Sequence, residues 1–161
     1  VCSGAVKGFA YTKEKFGDFD LKLDWRFPID DSGNSGVLLF TQSEPRIRPM
    51  SLQLQLHQPT AGSLIPSGDA RAESIQDAEG SLARPISQCN ECWIVCVGGT
   101  VTVEINGKKA GQATGVTPNS GSIPIQSEGS EVHFCRIRIH PFPSPATPSS
   151  EPSTSSCRFQ A

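Results

Sequence analysis

No run of apolar residues in this chain approaches the roughly 20 that a membrane-spanning helix needs, so no helical span is expected. Nor is there an excess of one charge. Fourteen Lys and Arg against 16 Asp and Glu leave a net charge of -2, which builds no basic field for nucleic acid or an anionic membrane surface. A glycine-rich phosphate loop, a nucleophilic-serine signature and a histidine metal triad are all missing, which weakens kinase, serine hydrolase and zinc enzyme readings. Leucine-rich stretches of helical period are scarce, while 15 Gly and 13 Pro punctuate the 161 residues. Short strands joined by turns are therefore expected, and 36% hydrophobic residues suffice for one domain with a packed core. The chain opens at Val1 without a signal-type apolar segment, which reads as a processing boundary.

What is present alternates. In DFDLKLDWRF (residues 18 to 27), Phe19, Leu21, Leu23, Trp25 and Phe27 fall on one side and Asp18, Asp20, Lys22, Asp24 and Arg26 on the other, the pattern of a half-buried strand. SLQLQLH (51 to 57) repeats it, with Leu52, Leu54 and Leu56 inward and Gln53, Gln55 and His57 on a polar, uncharged face. DDSGNSG (30 to 36) is a turn cluster ahead of the short apolar strand VLLF (37 to 40). NECWIVCV (90 to 97) and TVTVEI (100 to 105) are joined by Gly98-Gly99, and Asn106-Gly107 makes a second tight turn. SIPIQ (122 to 126) and EVHFCRIRIH (131 to 140) close the set. In the latter the apolar parity changes between Phe134 and Ile137, which predicts a bulge near Cys135 and Arg136. Residues 59 to 88 show no sustained period and read as a long loop that shapes a binding site. About nine short strands predict an all-β antiparallel β-sandwich or jelly roll. It is expected over residues 1 to 143, with Pro/Ser/Thr-rich residues 144 to 161 as a tail or linker.

Six cysteines remain to be placed. Cys89 and Cys92 have the spacing of half a zinc-ribbon knuckle, but a closed tetrahedral site needs four ligands and no second pair follows. Core packing is the favoured reading, because Cys92, Ile94 and Cys96 share one strand face and free cysteine packs as a small apolar side chain. Cys92 and Cys96 cannot bridge each other, since four strand residues set them about 13 Å apart. Other pairings, among them those of Cys2, Cys135 and Cys157, stay open. Neither a metal nor another cofactor is expected.

The order of these motifs resembles the 3-keto-disaccharide hydrolase domain family, a concanavalin A-like (laminin-G-like) jelly roll found widely in secreted bacterial proteins. The likeness covers roughly residues 8 to 140. It rests on FGDFDLKLDWR (16 to 26), GNSGVLLF (33 to 40), LQLQLHQ (52 to 58), TAGSLIP (60 to 66), CNECWIVCVGGTVTVEINGK (89 to 108) and SIPIQSEGSEVHFCRIRI (122 to 139), in that order. The family's strand ahead of residue 8 is mostly missing from the match, so part of the N-terminal strand is expected to be lacking. Cys89 falls where the family has Trp, and Cys92 and Cys96 fall on a strand, so the resemblance implies a structural cysteine cluster.

The resemblance also implies a secreted or periplasmic domain acting on glycosides that carry a 3-keto group. Such a ketone acidifies the neighbouring C–H, and the glycosidic bond then breaks by elimination and hydration or by direct hydrolysis. Gln53 and Gln58 stand where the family has acids, and Phe40 and Cys135 where it has arginines. Glutamine hydrogen-bonds but exchanges no proton at useful pH, so a non-catalytic carbohydrate-binding module on the same fold is the alternative. His57 and Glu128 are the surviving acid and base candidates, with Asp24, Asn34, Ser35, Gln53, Gln55, Gln126 and Trp93 as the set that holds a carbohydrate. Amides and carboxylates facing one another suit a sugar's hydroxyls, and Trp93, opposite in parity to Cys92, is expected either to pack beneath the loop of residues 59 to 88 or to stack on a ring. Arg46 and Arg48 carry the chemistry for an anionic ligand, and Asn90 is expected to brace a loop. The plain alternative is that Gln53, Gln55 and His57 are only the solvated side of a strand, and a protein-interaction domain without a sugar ligand would leave that face flat. A carbohydrate is the expected partner, nucleic acid is not, and the tail suits tethering to a larger protein.

Overall fold

The computed structural model describes residues 1–42 and 49–143. Arg46, Arg48 and the tail from residue 144 lie outside the described residues. Among the described residues eleven strands follow in order: β1 (Gly8–Tyr11), β2 (Phe19–Arg26), β3 (Gly36–Leu39), β4 (Ser51–Gln55), β5 (Leu64–Ser67), β6 (Ser74–Asp77), β7 (Asn90–Val97), β8 (Thr100–Ile105), β9 (Lys108–Thr114), β10 (Pro124–Ser127) and β11 (His133–Pro141). They form two antiparallel sheets, one of five strands in the order β1-β10-β3-β4-β5 and one of six in the order β11-β2-β7-β8-β9-β6. The all-β sandwich expected from the alternation is the fold observed.

Each sheet offers every second side chain to the space between them. From the six-stranded sheet come Phe19, Leu21, Leu23 and Trp25 of β2, Cys92, Ile94 and Cys96 of β7, and Val101, Val103 and Ile105 of β8. Val37, Leu39, Leu52 and Leu54 answer from the five-stranded sheet. Fully burying an aliphatic or aromatic side chain of this size contributes roughly 1.5–3 kcal/mol, so this shared layer is the main source of stability.

Both predicted hairpin turns are present. Gly98 and Gly99 have φ of 55° and 76°, and Asn106 and Gly107 have φ of 53° and 74°, the left-handed pairs that match the twist of the flanking strands. The bulge is present too. Phe134 pairs with Trp25 and Ile139 with Leu21, while the register shifts between Cys135 and Arg138, and Arg136 adopts φ of 52°. The extra length lets Phe134 and Ile139, five positions apart, both pack on the core, and it turns Arg136 over the sheet's outer surface.

The reading of residues 59 to 88 as one long loop is corrected. A short 3-10 turn (Gln58–Thr60), β5 and β6 lie there, and β5 and β6 are edge strands of different sheets. All four residues of β6 are exposed and β5 buries only Leu64, so neither carries the apolar alternation that reveals a strand. β1 and β9 were not located from the sequence either, and the described residues hold eleven strands where about nine were expected.

Asn90 braces this region as expected. Its Oδ1 accepts from the Arg84 backbone N–H at 2.7 Å and from Asn106 Nδ2 at 3.0 Å, and Asn106 Nδ2 also donates to the Leu82 carbonyl. One buried amide thereby ties the segment before β7 to the β8–β9 turn. Asn90→Ala is expected to cost about 1–3 kcal/mol by leaving half-buried donors unpaired, read as a lower urea midpoint. Leu54→Ala, at a fully buried position, is expected to cost about 2–5 kcal/mol in the same measurement.

Candidate functional site

The outward side of the five-stranded sheet carries most of the residues singled out in the sequence. Antiparallel partners share a face, so the pairings Gly36↔Gln55, Leu38↔Gln53 and Ile125↔Val37 set Gln53, Gln55 and Gln126 side by side, away from the core. The β3–β4 ladder continues past the strand ends through Leu56 N–H to the Ser35 carbonyl and Gln58 N–H to the Gly33 carbonyl, both 2.9 Å, which brings Asn34 opposite His57.

These amides form one connected set. Gln53 Nε2 donates to Gln55 Oε1 at 2.6 Å and lies 3.5 Å from Gln126 Oε1, and Gln55 Nε2 donates to Asn34 Oδ1 at 2.9 Å. Gly36 makes the room for it. A Cβ at that position would stand 2.9 Å from Gln126 Oε1 and 3.0 Å from Gln53 Nε2, so any larger residue drives the amides apart. All four side chains are half-buried, which holds them in place while leaving part of each open to solvent.

His57 Nδ1 contacts Thr60 Oγ1 at 3.1 Å, which turns the Nε2 edge of the ring away from Thr60. Glu128 directly follows β10, and strand alternation from Gln126 directs it toward the same face. Ser35 is placed differently from the sugar-holding set. It is fully buried, and its hydroxyl donates to the Gln126 carbonyl at 2.7 Å, so it braces β3 against β10 beneath the amides. Gln58 turns aside as well, with Nε2 on the Arg84 carbonyl at 2.7 Å. Phe40 is buried and packs edge-on against Phe19 at 6.1 Å between ring centroids.

Three flanking residues escaped the sequence reading. Phe9 pairs with Gln126 and Tyr11 with Pro124, so β1 lays two aromatic rings beside the amides, and Tyr11 is 50% exposed. Ile65, opposite Gln53 on β5, borders the other side. The alternation in GFAY was the available signal, and four residues were too few to read it.

Asp24 and Trp93 are not part of this face. Both point outward from the six-stranded sheet, on the far side of the core, because β2 and β7 belong to that sheet. There they line a groove of about 360 Å³ with Lys22, Glu91, Arg136 and Arg138. Trp93 is 40% exposed, and Lys22 Nζ sits 4.7 Å from its ring centroid as a cation–π cap. Asp24 is buried and accepts from Arg136 Nε, and Arg136 Nη2 reaches Glu91 Oε1 at 3.9 Å. The hydrogen bond and charge of Asp24 hold the Arg136 guanidinium above its usual range.

The cysteines divide. Cys92 and Cys96 are buried in the core, and burial first, then Asp24 and Asp18 respectively, push their thiols far above the ordinary range. Cys89 lies elsewhere, its thiol beside that of Cys135, and it is raised by partial burial and then by Cys135.

Two antiparallel sheets packed face to face in this strand order make a sandwich of the jelly-roll type. Across residues 1–140 the chain matches the family described as the 3-keto-alpha-glucoside-1,2-lyase-like domain, and it belongs to that family. The match begins at residue 1 rather than near residue 8. A candidate glycosyl hydrolase from Parabacteroides distasonis ATCC 8503 superimposes with a TM-score of 0.66 at 18% identity, covering 86% of this chain and 85% of that one. A second from the same organism gives 0.62 at 19% identity, covering 86% and 78%. The carbohydrate binding module CBM66 from Bacillus subtilis gives 0.57 at 8% identity, with 83% of each chain covered. At these identities the likeness shows a shared fold. The comparison with curated proteins returned no match.

Gly36→Ala is expected to keep the fold, since the atoms nearest the added methyl are mostly the ends of flexible side chains, with a stability change of about 1 kcal/mol or less. The side-chain amide NMR resonances of Gln53 and Gln126 are expected to shift while the core methyl resonances stay in place.

Proposed function

We propose that this domain binds a glycoside across the amide face of the five-stranded sheet and, where the sugar carries a ketone at carbon 3, breaks its glycosidic bond by elimination. The observation that carries the reading is the connected set of Asn34, Gln53, Gln55 and Gln126 over Gly36. Neutral amides offer paired donors and acceptors to sugar hydroxyls without a charge to desolvate, and the exposed Tyr11 ring offers a flat apolar surface alongside.

The ketone makes the hydrogen on carbon 2 acidic. His57 accepts that proton, electron density moves into the enolate, the bond from carbon 1 to the leaving oxygen breaks, and Glu128 in its protonated form delivers a proton to that oxygen. Addition of water to the unsaturated ketone completes net hydrolysis. Amide N–H groups beneath the ring stabilise the enolate oxygen. His57 follows β4 and Glu128 follows β10, the two strands that flank β3, so a sugar lying over Asn34 has one of them on either side. A secreted or periplasmic location accompanies this reading, as does tethering of the domain through residues 144 to 161.

A binding module without turnover is the second reading. It is favoured by Gln53, an amide that cannot exchange a proton at the centre of the face, and by the fold shared with a carbohydrate binding module.

The test is a panel of 3-keto-glucosides and their unoxidised parents, followed for heat-shift binding and for product release on the same samples. Release from the keto sugars, lowered roughly 10²–10⁴-fold by His57→Gln or Glu128→Gln with binding retained, is the expected result. Binding without release selects the module, and neither binding nor release overturns both readings.

A further inference from the structure

We infer that Asp24, Cys89 and Cys135 form a binding site for one thiophilic divalent cation, with Zn²⁺ as the ion it fits best. The two Sγ atoms and a carboxylate oxygen of Asp24 all lie within 4.8 Å of one another. Cys135 Sγ already points at Asp24 Oδ2 from 3.8 Å. Cys135 is exposed and Cys89 half-buried, so an ion has access, while Asp24 beneath them is buried.

The placement follows from topology. Cys89 immediately precedes β7 and Cys135 sits on β11, the two strands that flank β2, and Asp24 lies on β2 between them. The bulge after Cys135 brings Arg136 back over the same carboxylate. Three side chains distant in sequence thus converge on the outer surface of one sheet, at the edge of the groove that Trp93 and Glu91 also line.

A disulfide between the thiols fits this geometry less well. With β2 running between Cys135 on β11 and Cys89 just ahead of β7, a disulfide, which tolerates Cα separations of about 4.4–6.8 Å, has to reach across an intervening strand. A tetrahedral ion bonded to sulfur at about 2.3 Å bridges thiolates roughly 3.8 Å apart and needs far less movement. Charge favours the same occupant. Two thiolates and a carboxylate carry three negative charges, the ion supplies two positive ones, and Arg136 on Asp24 neutralises the remainder. Binding forms two metal–sulfur bonds and releases the two thiol protons to solvent. Three protein ligands leave a fourth position for water.

The site is independent of the amide face, which lies on the other sheet. The test is a Co²⁺ titration of the full chain after treatment with chelator and reductant, followed by displacement with Zn²⁺. One equivalent of Co²⁺ is expected to produce the near-ultraviolet thiolate charge-transfer band, which Zn²⁺ abolishes. Cys135→Ser, at an exposed position that leaves the core untouched, is expected to weaken Zn²⁺ binding by more than the roughly 100-fold ceiling of an outer-shell change. Cys89→Ser is expected to do the same, and Cys2→Ser to bind as the parent does. Absence of the band, or its persistence in Cys135→Ser, overturns the proposal. So does a Cys89–Cys135 disulfide found by mass spectrometry in protein prepared without reductant.

Discussion

Everything in this molecule hangs on two sheets packing face to face, which obliges each strand to surrender every second side chain to a common apolar layer. β2 and β7 obey most completely. Phe19, Leu21, Leu23 and Trp25 interleave with Cys92, Ile94 and Cys96, all nearly inaccessible to solvent. The remaining positions are released to the two outer surfaces, and both candidate sites are assembled from those residues. Chemistry on this scaffold is therefore limited to what alternate positions can bring together from different strands.

On the five-stranded sheet the result is an uncharged, mutually satisfied set of amides. Half-buried polar groups are stable only when paired, and Gln53, Gln55, Gln126 and Asn34 pair with one another instead of depending on a ligand to do so. A sugar that binds there exchanges amide–amide hydrogen bonds for amide–hydroxyl ones at little net cost. The glycine at position 36 is the spatial condition for that set, since the strand beneath it must present no side chain.

The six-stranded sheet carries a different chemistry on its outer side. Its surface is ionic and sulfur-bearing, with Asp24 buried under Arg136 and the thiols of Cys89 and Cys135 beside it. Cys135 faces Asp24 as its regular cross-strand partner, and the bulge that follows sets Arg136 out of register. Irregularity in an otherwise regular ladder is a common way for a sheet to re-aim side chains, and here it returns Arg136 over the Asp24 carboxylate that Cys135 already faces in register.

The sequence by itself determined the all-β class, the inward faces of β2, β4, β7 and β8, both hairpin turns and the bulge in β11, but not β9. These follow from local periodicity and from turn residues, which act within a few positions of the chain. It also determined that Gln53, Gln55 and His57 share a face, and that Cys92 and Cys96 belong to the core. Only the tertiary structure decided which outward faces belong together. Alternation tells inside from outside but is blind to which sheet a strand joins, so Asp24 and Trp93 were grouped with amides that lie across the core from them. Edge strands β5 and β6 were invisible because exposed edges bury too little to need a pattern. The approach of Cys89 to Cys135 was equally hidden, because a contact across 46 residues depends on strand order, which no local spacing records.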